Sequence, residues 1–98
     1  MMDVFVNNIL NRWLERNGID GELQVLKSWT PGPMPVLASC SVEIYYLAGG
    51  KARRISRLSM NGNINNKESI YRALLEDVVL LFMCGGESII KSIRANET

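Results

Sequence analysis

The strongest constraint on the fold lies between residues 36 and 47, where Ala38, Cys40, Val42, Ile44 and Tyr46 alternate with Ser39, Ser41, Glu43 and Tyr45. A period of two sends the first set to one face of a strand and the second to the other, so one face is buried and the other solvated. Such a strand needs paired neighbours and a cover for its apolar side. Gly49-Gly50 reads as the hairpin turn that supplies one neighbour, a return strand from Lys51 to Met60 with Ile55, Leu58 and Met60 as its apolar positions. Upstream, residues 22–29 carry Leu, Val and Trp and read as a third strand. The segment Thr30-Pro31-Gly32-Pro33-Met34-Pro35 then ends it, because its prolines and glycine support neither helix nor ladder.

Two amphipathic segments can provide the cover. From Asp3 to Asn17, Val6, Ile9, Leu10, Trp13 and Leu14 recur at helical spacing, with Asp3 as the expected N-cap and Gly18 as the left-handed stop. Asn8, Asn11, Arg12 and Glu15 fall on the opposite, solvated side. A second helix is expected after Asn61-Gly62-Asn63, opened by an Asn65 to Glu68 capping box and ended at Gly85-Gly86. It carries Ile70, Leu74, Leu75, Val78, Val79 and Phe82. The order is helix, three antiparallel strands, helix: a two-layer α+β domain with both helices on one face of the sheet. At 98 residues the chain holds one such domain, with its core in about residues 3–84 and a tail or short helix over 87–98.

Composition narrows the chemistry. There is no histidine, which removes the usual general base and the commonest transition-metal ligand, and the scattered carboxylates show neither a catalytic pair nor a metal-ligand spacing. No enzyme, cofactor or metal is expected. Cys40 and Cys84 lie in apolar stretches without CxxC spacing and read as buried free thiols. The longest apolar run, from Val78 to Cys84, is far too short to span a bilayer, and the Met-Met-Asp start lacks a basic signal region, so the expected location is cytoplasmic or nuclear. The net charge of +1 hides a local cluster, Lys51, Arg53, Arg54 and Arg57, which reads as the solvated protection of an edge strand or as a contact for an anionic partner.

Taken in that order, residues 8–82 resemble the double-stranded RNA-binding domain, a family of αβββα fold. The run Ile9-Leu10-Asn11-Arg12-Trp13-Leu14-Glu15-Arg16-Asn17-Gly18-Ile19 looks like the family's opening helix with its terminal glycine. Gly32-Pro33-Met34-Pro35 looks like its Gly-Pro-x-His segment, with proline in place of histidine. Asn66-Lys67-Glu68 sits where the family's second helix begins, and Tyr71 sits at a later lysine of its motif. The resemblance implies that the chain contacts two minor grooves of an A-form duplex and the phosphates between them, reading shape rather than sequence. It assigns one patch to Asn8, Asn11, Arg12 and Glu15, a second to the loop at Gly32, Pro33 and Met34, and a third to Asn66, Lys67 and Tyr71. With Glu68 and Tyr71 at cation positions, only Lys67 of that third patch is basic, so the implied RNA binding is weak.

The alternative function is protein contact, as a homodimer or as an adaptor, inhibitor or immunity-type module without RNA. Around Leu80 and Met83 the second helix is apolar on every side, which one sheet cannot cover. Ile89, Ile90 and Ile93 could fold back over it; otherwise a partner, most simply a second copy, is expected there and along the free edge of the third strand at Arg57 and Leu58.

Overall fold

The computed structural model describes residues 2–95, and side chains over residues 4–95. Helix α1 (Met2–Arg16) is followed by strands β1 (Glu22–Pro31), β2 (Leu37–Ala48) and β3 (Lys51–Asn63), a 3-10 turn (Ile64–Asn66), and helices α2 (Lys67–Cys84) and α3 (Gly86–Arg94). The strands form one antiparallel sheet in the order β1-β2-β3. The alternation in β2 has the expected consequence: Ala38, Cys40, Val42, Ile44 and Tyr46 are buried beneath the helices. One core joins Val6, Leu10 and Leu14 of α1, Leu23 and Val25 of β1, and Ile70, Leu74, Leu75, Val78 and Phe82 of α2. Trp13 sits at its rim, half-buried, its ring meeting that of Phe82 edge-on at 4.8 Å.

Gly49 and Gly50 both have positive φ, 59° and 76°, as a tight hairpin turn needs. Gly18, at φ 66°, ends α1 as expected. Several boundaries differ from the sequence reading. Helix α1 already includes Met2, so Asp3 lies within its first turn rather than at the cap. Strand β1 continues through Thr30 and Pro31, which pair with Ser39 and Ala38 of β2. Strand β3 likewise runs through Asn61-Gly62-Asn63 instead of stopping there, because Ala38 and Leu37 of β2 continue the ladder opposite Gly62 and Asn63. The expected capping box is absent: the Asn63 side chain accepts from the Asn65 N–H at the head of the 3-10 turn, and Asn66 precedes α2 without a side-chain cap bond.

The tail does fold as a helix, but not over the surface that needed a cover. Helix α3 sends Ile89 and Ile93 into the main core, and Arg53 donates to the carbonyls of Ser92 and Ile93 at its C-terminal end. A cation at this end of a helix satisfies carbonyls that have no partner within it. Arg53 can do so because of a β-bulge. Ile44 pairs with Ser56 but Tyr45 with Arg54, so Ile55 is an extra residue on β3. The bulge reverses the alternation, placing Arg53 on the helix side opposite buried Tyr46 and Arg54 on the open face.

Candidate functional site

The three surface regions singled out in the sequence are differently available. On α1, Asn8, Arg12 and Glu15 are exposed. Asn11 is not on the solvated face: its side-chain amide accepts from the Leu23 N–H at 2.8 Å and donates to the Leu23 carbonyl at 3.0 Å. One turn earlier, Asn7 accepts from the Val25 N–H at 3.0 Å. These two amides, four residues apart on one helix, pair with the outer edge of β1 at Leu23 and Val25 much as another strand would, and so cover its first half. We expect Asn11→Ala to strand both Leu23 backbone groups and to cost about 1–2 kcal/mol in a urea titration; an unchanged midpoint would show that water replaces the amide without loss.

The β1–β2 loop turns tightly, with Gly32 N–H donating to the Leu37 carbonyl and Leu37 N–H to that of Met34, and it leaves Pro33 and Met34 exposed. At the head of α2, the residues assigned to phosphate contact are largely engaged within the chain. The Lys67 ammonium lies 4.9 Å from the centre of the Trp29 ring, and Tyr71 is buried with its hydroxyl donating to the Ser28 carbonyl at 2.7 Å. Burial, with the nearby Cys40 thiol adding, pushes the Tyr71 phenol above its ordinary range. Only Asn66 of this patch is exposed and without a side-chain bond among the described residues.

Three of the four residues of the basic cluster on β3 are similarly committed, while Lys51 is exposed. Arg54 forms an ion pair with Glu43 at 3.2 Å, Arg57 donates to the Ser41 hydroxyl at 3.0 Å, and Arg53 holds α3. The Tyr45 hydroxyl and then Arg54 lower the Glu43 carboxyl below its usual range. Leu58, on the same strand, is half-buried against the core. Of the two thiols, Cys40 is buried as expected; Cys84 is exposed, because it is the last residue of α2 and points away from the core that Phe82 enters.

An uncovered apolar feature lies at the seam between α1 and α2. Phe5, Val6 and Ile9 from α1 and Leu75, Glu76, Val79 and Leu80 from α2 line a groove of about 410 Å³. Phe5 is 62% exposed, Leu80 56% and Met83 73%, so α3 does not shield the face that the sequence left uncovered. Further along the same two helices, Trp13, Phe82 and Met83 contribute to a second depression of about 640 Å³ beside Gly85 and Gly86. The polar neighbours of the groove follow from helical spacing. Arg12 is seven residues after Phe5, Arg16 seven after Ile9, Glu68 seven before Leu75 and Arg72 seven before Val79, so each falls on the same side of its helix as a groove residue, about two turns further along. None of these arginines forms a hydrogen bond or ion pair among the described residues, nor does Glu76. Sequence periodicity revealed Leu80 and Met83; the contribution of Phe5 and Ile9 depends on how the two helices align.

The chain is thus an α+β domain of αβββα order extended by a third helix. No family model, curated protein or solved structure matches it. Among the described residues there is no group of three or more His, Cys, Asp or Glu side chains that could hold a metal ion, and no helix long and apolar enough to cross a membrane.

Proposed function

We propose that this chain is a non-enzymatic protein-contact module that receives a helix of another polypeptide in the seam between α1 and α2. The observation that carries this reading is the exposure of Phe5 and Leu80 in an apolar groove, with Met83 exposed beyond it, after α3 has already packed elsewhere. Contiguous exposed apolar surface of this kind is costly in water and marks sites of association. A channel between two helices suits a third helix, whose side chains at i, i+3 or i+4 and i+7 can enter it.

Duplex RNA is the second reading, supported by the αβββα order and by exposed Asn8, Arg12, Pro33 and Met34. With Asn11 bonded to β1, Tyr71 buried and Lys67 over Trp29, fewer groups remain for phosphate contact than the resemblance implied. Affinity for a duplex of about 20 base pairs is therefore expected to stay in the non-specific range, with Kd above roughly 1 μM at physiological salt.

The two readings separate in one pair of titrations, with that duplex and with an amphipathic helical peptide carrying a leucine stripe. Saturable peptide binding that is lost in Leu80→Asp, with weak RNA binding that is not, is the expected result. Submicromolar RNA binding that falls on Lys67→Ala, with no peptide binding, would overturn the protein-contact reading and establish the other.

A further inference from the structure

We infer that the outer edge of β3 is a second docking surface, apart from the groove, which takes up an extended acidic segment of a different protein as a fourth strand. The sheet has two edges. That of β1 is covered over its first half by the side-chain amides of Asn7 and Asn11. By contrast, β3 pairs with β2, and among the described residues no hydrogen bond from another element reaches its backbone on the outer side. Its alternate N–H and C=O groups therefore stand open to water along a strand of 13 residues. An edge of that length is a template for another strand, and the cations on it decide which strand is admitted.

The strand carries four basic residues and no acidic one. Arg53 turns to the helix side and holds α3, while Lys51, Arg54 and Arg57 are exposed. Arg54 commits one guanidinium nitrogen to Glu43 at 3.2 Å, and Arg57 commits one to the Ser41 hydroxyl at 3.0 Å. Each keeps further N–H donors, and these bonds hold both groups on the open face beside the edge. Glu43 is the one carboxylate bonded to them among the described residues, so positive charge is left in excess. Further along, Leu58 and Met60 lie on the helix side opposite Val42 and Cys40, and Met60 is 41% exposed. An added strand turns alternate side chains to the two faces. Those on the open face meet Arg54 and Arg57, and those on the helix side meet Leu58 and Met60. A segment that alternates acidic and apolar residues satisfies both.

A second copy of this chain is a poorer fit. Paired antiparallel along the whole strand, Lys51 opposite Asn63, it sets Arg57 opposite Arg57; paired parallel and in register, it sets all four bases opposite themselves. In no register does a second β3 bring an acid. A phosphate backbone meets the cations but lacks donors and acceptors at strand spacing, so it leaves the edge unpaired. The cations that repel a basic strand select an acidic one.

The test uses synthetic peptides of about ten residues that alternate valine with either glutamate or lysine. Each is titrated against the whole chain by fluorescence anisotropy at about 50 mM and about 500 mM salt, together with the mass of the protein in solution. The glutamate peptide is expected to bind about tenfold tighter than the lysine peptide at low salt, and the gap is expected to narrow at high salt. Residues of a strand that share a face also turn their amides to one edge, so the glutamate peptide is made again with N-methyl groups on its glutamates or on its valines. One of these forms should lose binding and the other keep it, which a loose electrostatic contact cannot produce. Arg54→Gln combined with Arg57→Gln should weaken the glutamate peptide about tenfold, and Lys51→Glu, at an exposed residue without a bond among the described residues, about threefold. An unchanged thermal melt checks that each variant folds, and the methylated peptides test the edge on the wild-type chain alone.

Equal affinity for the glutamate and lysine peptides would overturn the acidic occupant, and the same response to both methylation patterns would overturn strand addition. A wild-type dimer whose β3 amides are protected from hydrogen exchange would place a second copy on this edge and overturn the proposal too. Failure of both peptides to bind does the same. None of these results bears on the α1–α2 groove, which the leucine-stripe peptide tests separately. The Leu80→Asp variant should bind the glutamate peptide as the wild type does; loss of binding there would move the peptide to the groove and overturn the edge.

Discussion

Phe82→Ala is expected to lose about 3–5 kcal/mol of stability, the usual cost of emptying an aromatic site in a packed core. The ring is 2% exposed and belongs to the core cluster that joins both layers. It also holds Trp13 edge-on at 4.8 Å, an arrangement whose own contribution is about 0.5–1.5 kcal/mol beyond the area buried. A domain of this size has a total stability of about 5–15 kcal/mol, so the variant should unfold at low urea or be partly unfolded without it. Urea titration followed by tryptophan emission measures the loss, and Trp13 should shift to the red in the folded baseline because its neighbour has gone. A loss under about 1 kcal/mol would mean that Trp13 and α3 close over the space, and that the core is less tightly packed there than the contact geometry indicates.

The main fold could be read from the sequence because two regular signals agreed. The period of two in β2 defined a one-sided sheet, and the helical period of Val6, Leu10 and Leu14 supplied a matching face. What periodicity misses is any change of register. The bulge at Ile55 reverses which of Arg53 and Arg54 faces the helices, and nothing in the run Lys51 to Met60 announces it. The basic cluster therefore read as one patch, although the chain divides its three arginines among a helix terminus, a carboxylate and a serine hydroxyl.

Asn11 illustrates a different limit. An asparagine on the polar side of a helical wheel reads as solvated, and only the position of β1 beside α1 turns it into a cap for a strand edge. The reverse holds for Leu80 and Met83, whose exposure followed from arithmetic: the apolar residues of α2 outnumber the positions that one sheet and one neighbouring helix can cover. The alternative of a fold-back by Ile89, Ile90 and Ile93 does not cover that face for a related reason. Ile89 and Ile93 found space in the core, and Ile90, half-buried, only lines the depression beside Met83, so Leu80 and Met83 stay exposed.

Gly21→Ala is expected to be nearly as damaging as the loss of Phe82, although it removes no contact. Gly21 has φ +119°, a conformation that side chains other than glycine's rarely adopt. A Cβ there would lie 2.7 Å from Cε1 of Tyr46 and 2.8 Å from the backbone oxygen of Leu47. The carbonyl cannot yield without opening the pairing of Glu22 with Leu47, where β1 begins. Tyr46 is held too, because its hydroxyl donates to the Asp20 carbonyl in the same turn. Backbone strain of about 1–3 kcal/mol adds to overpacking of similar size, which gives about 3 kcal/mol in all. Gly18→Ala is the control, since that glycine also has positive φ, +66°, but an added methyl group there would meet nothing within 4 Å. It should cost only about 1 kcal/mol, the penalty of the left-handed conformation alone. Equal losses in the two variants would mean that conformation accounts for both and that Tyr46 and the start of β1 move aside freely; a loss at Gly21 at least twice that at Gly18 would establish that the α1–β1 turn is locked against Tyr46.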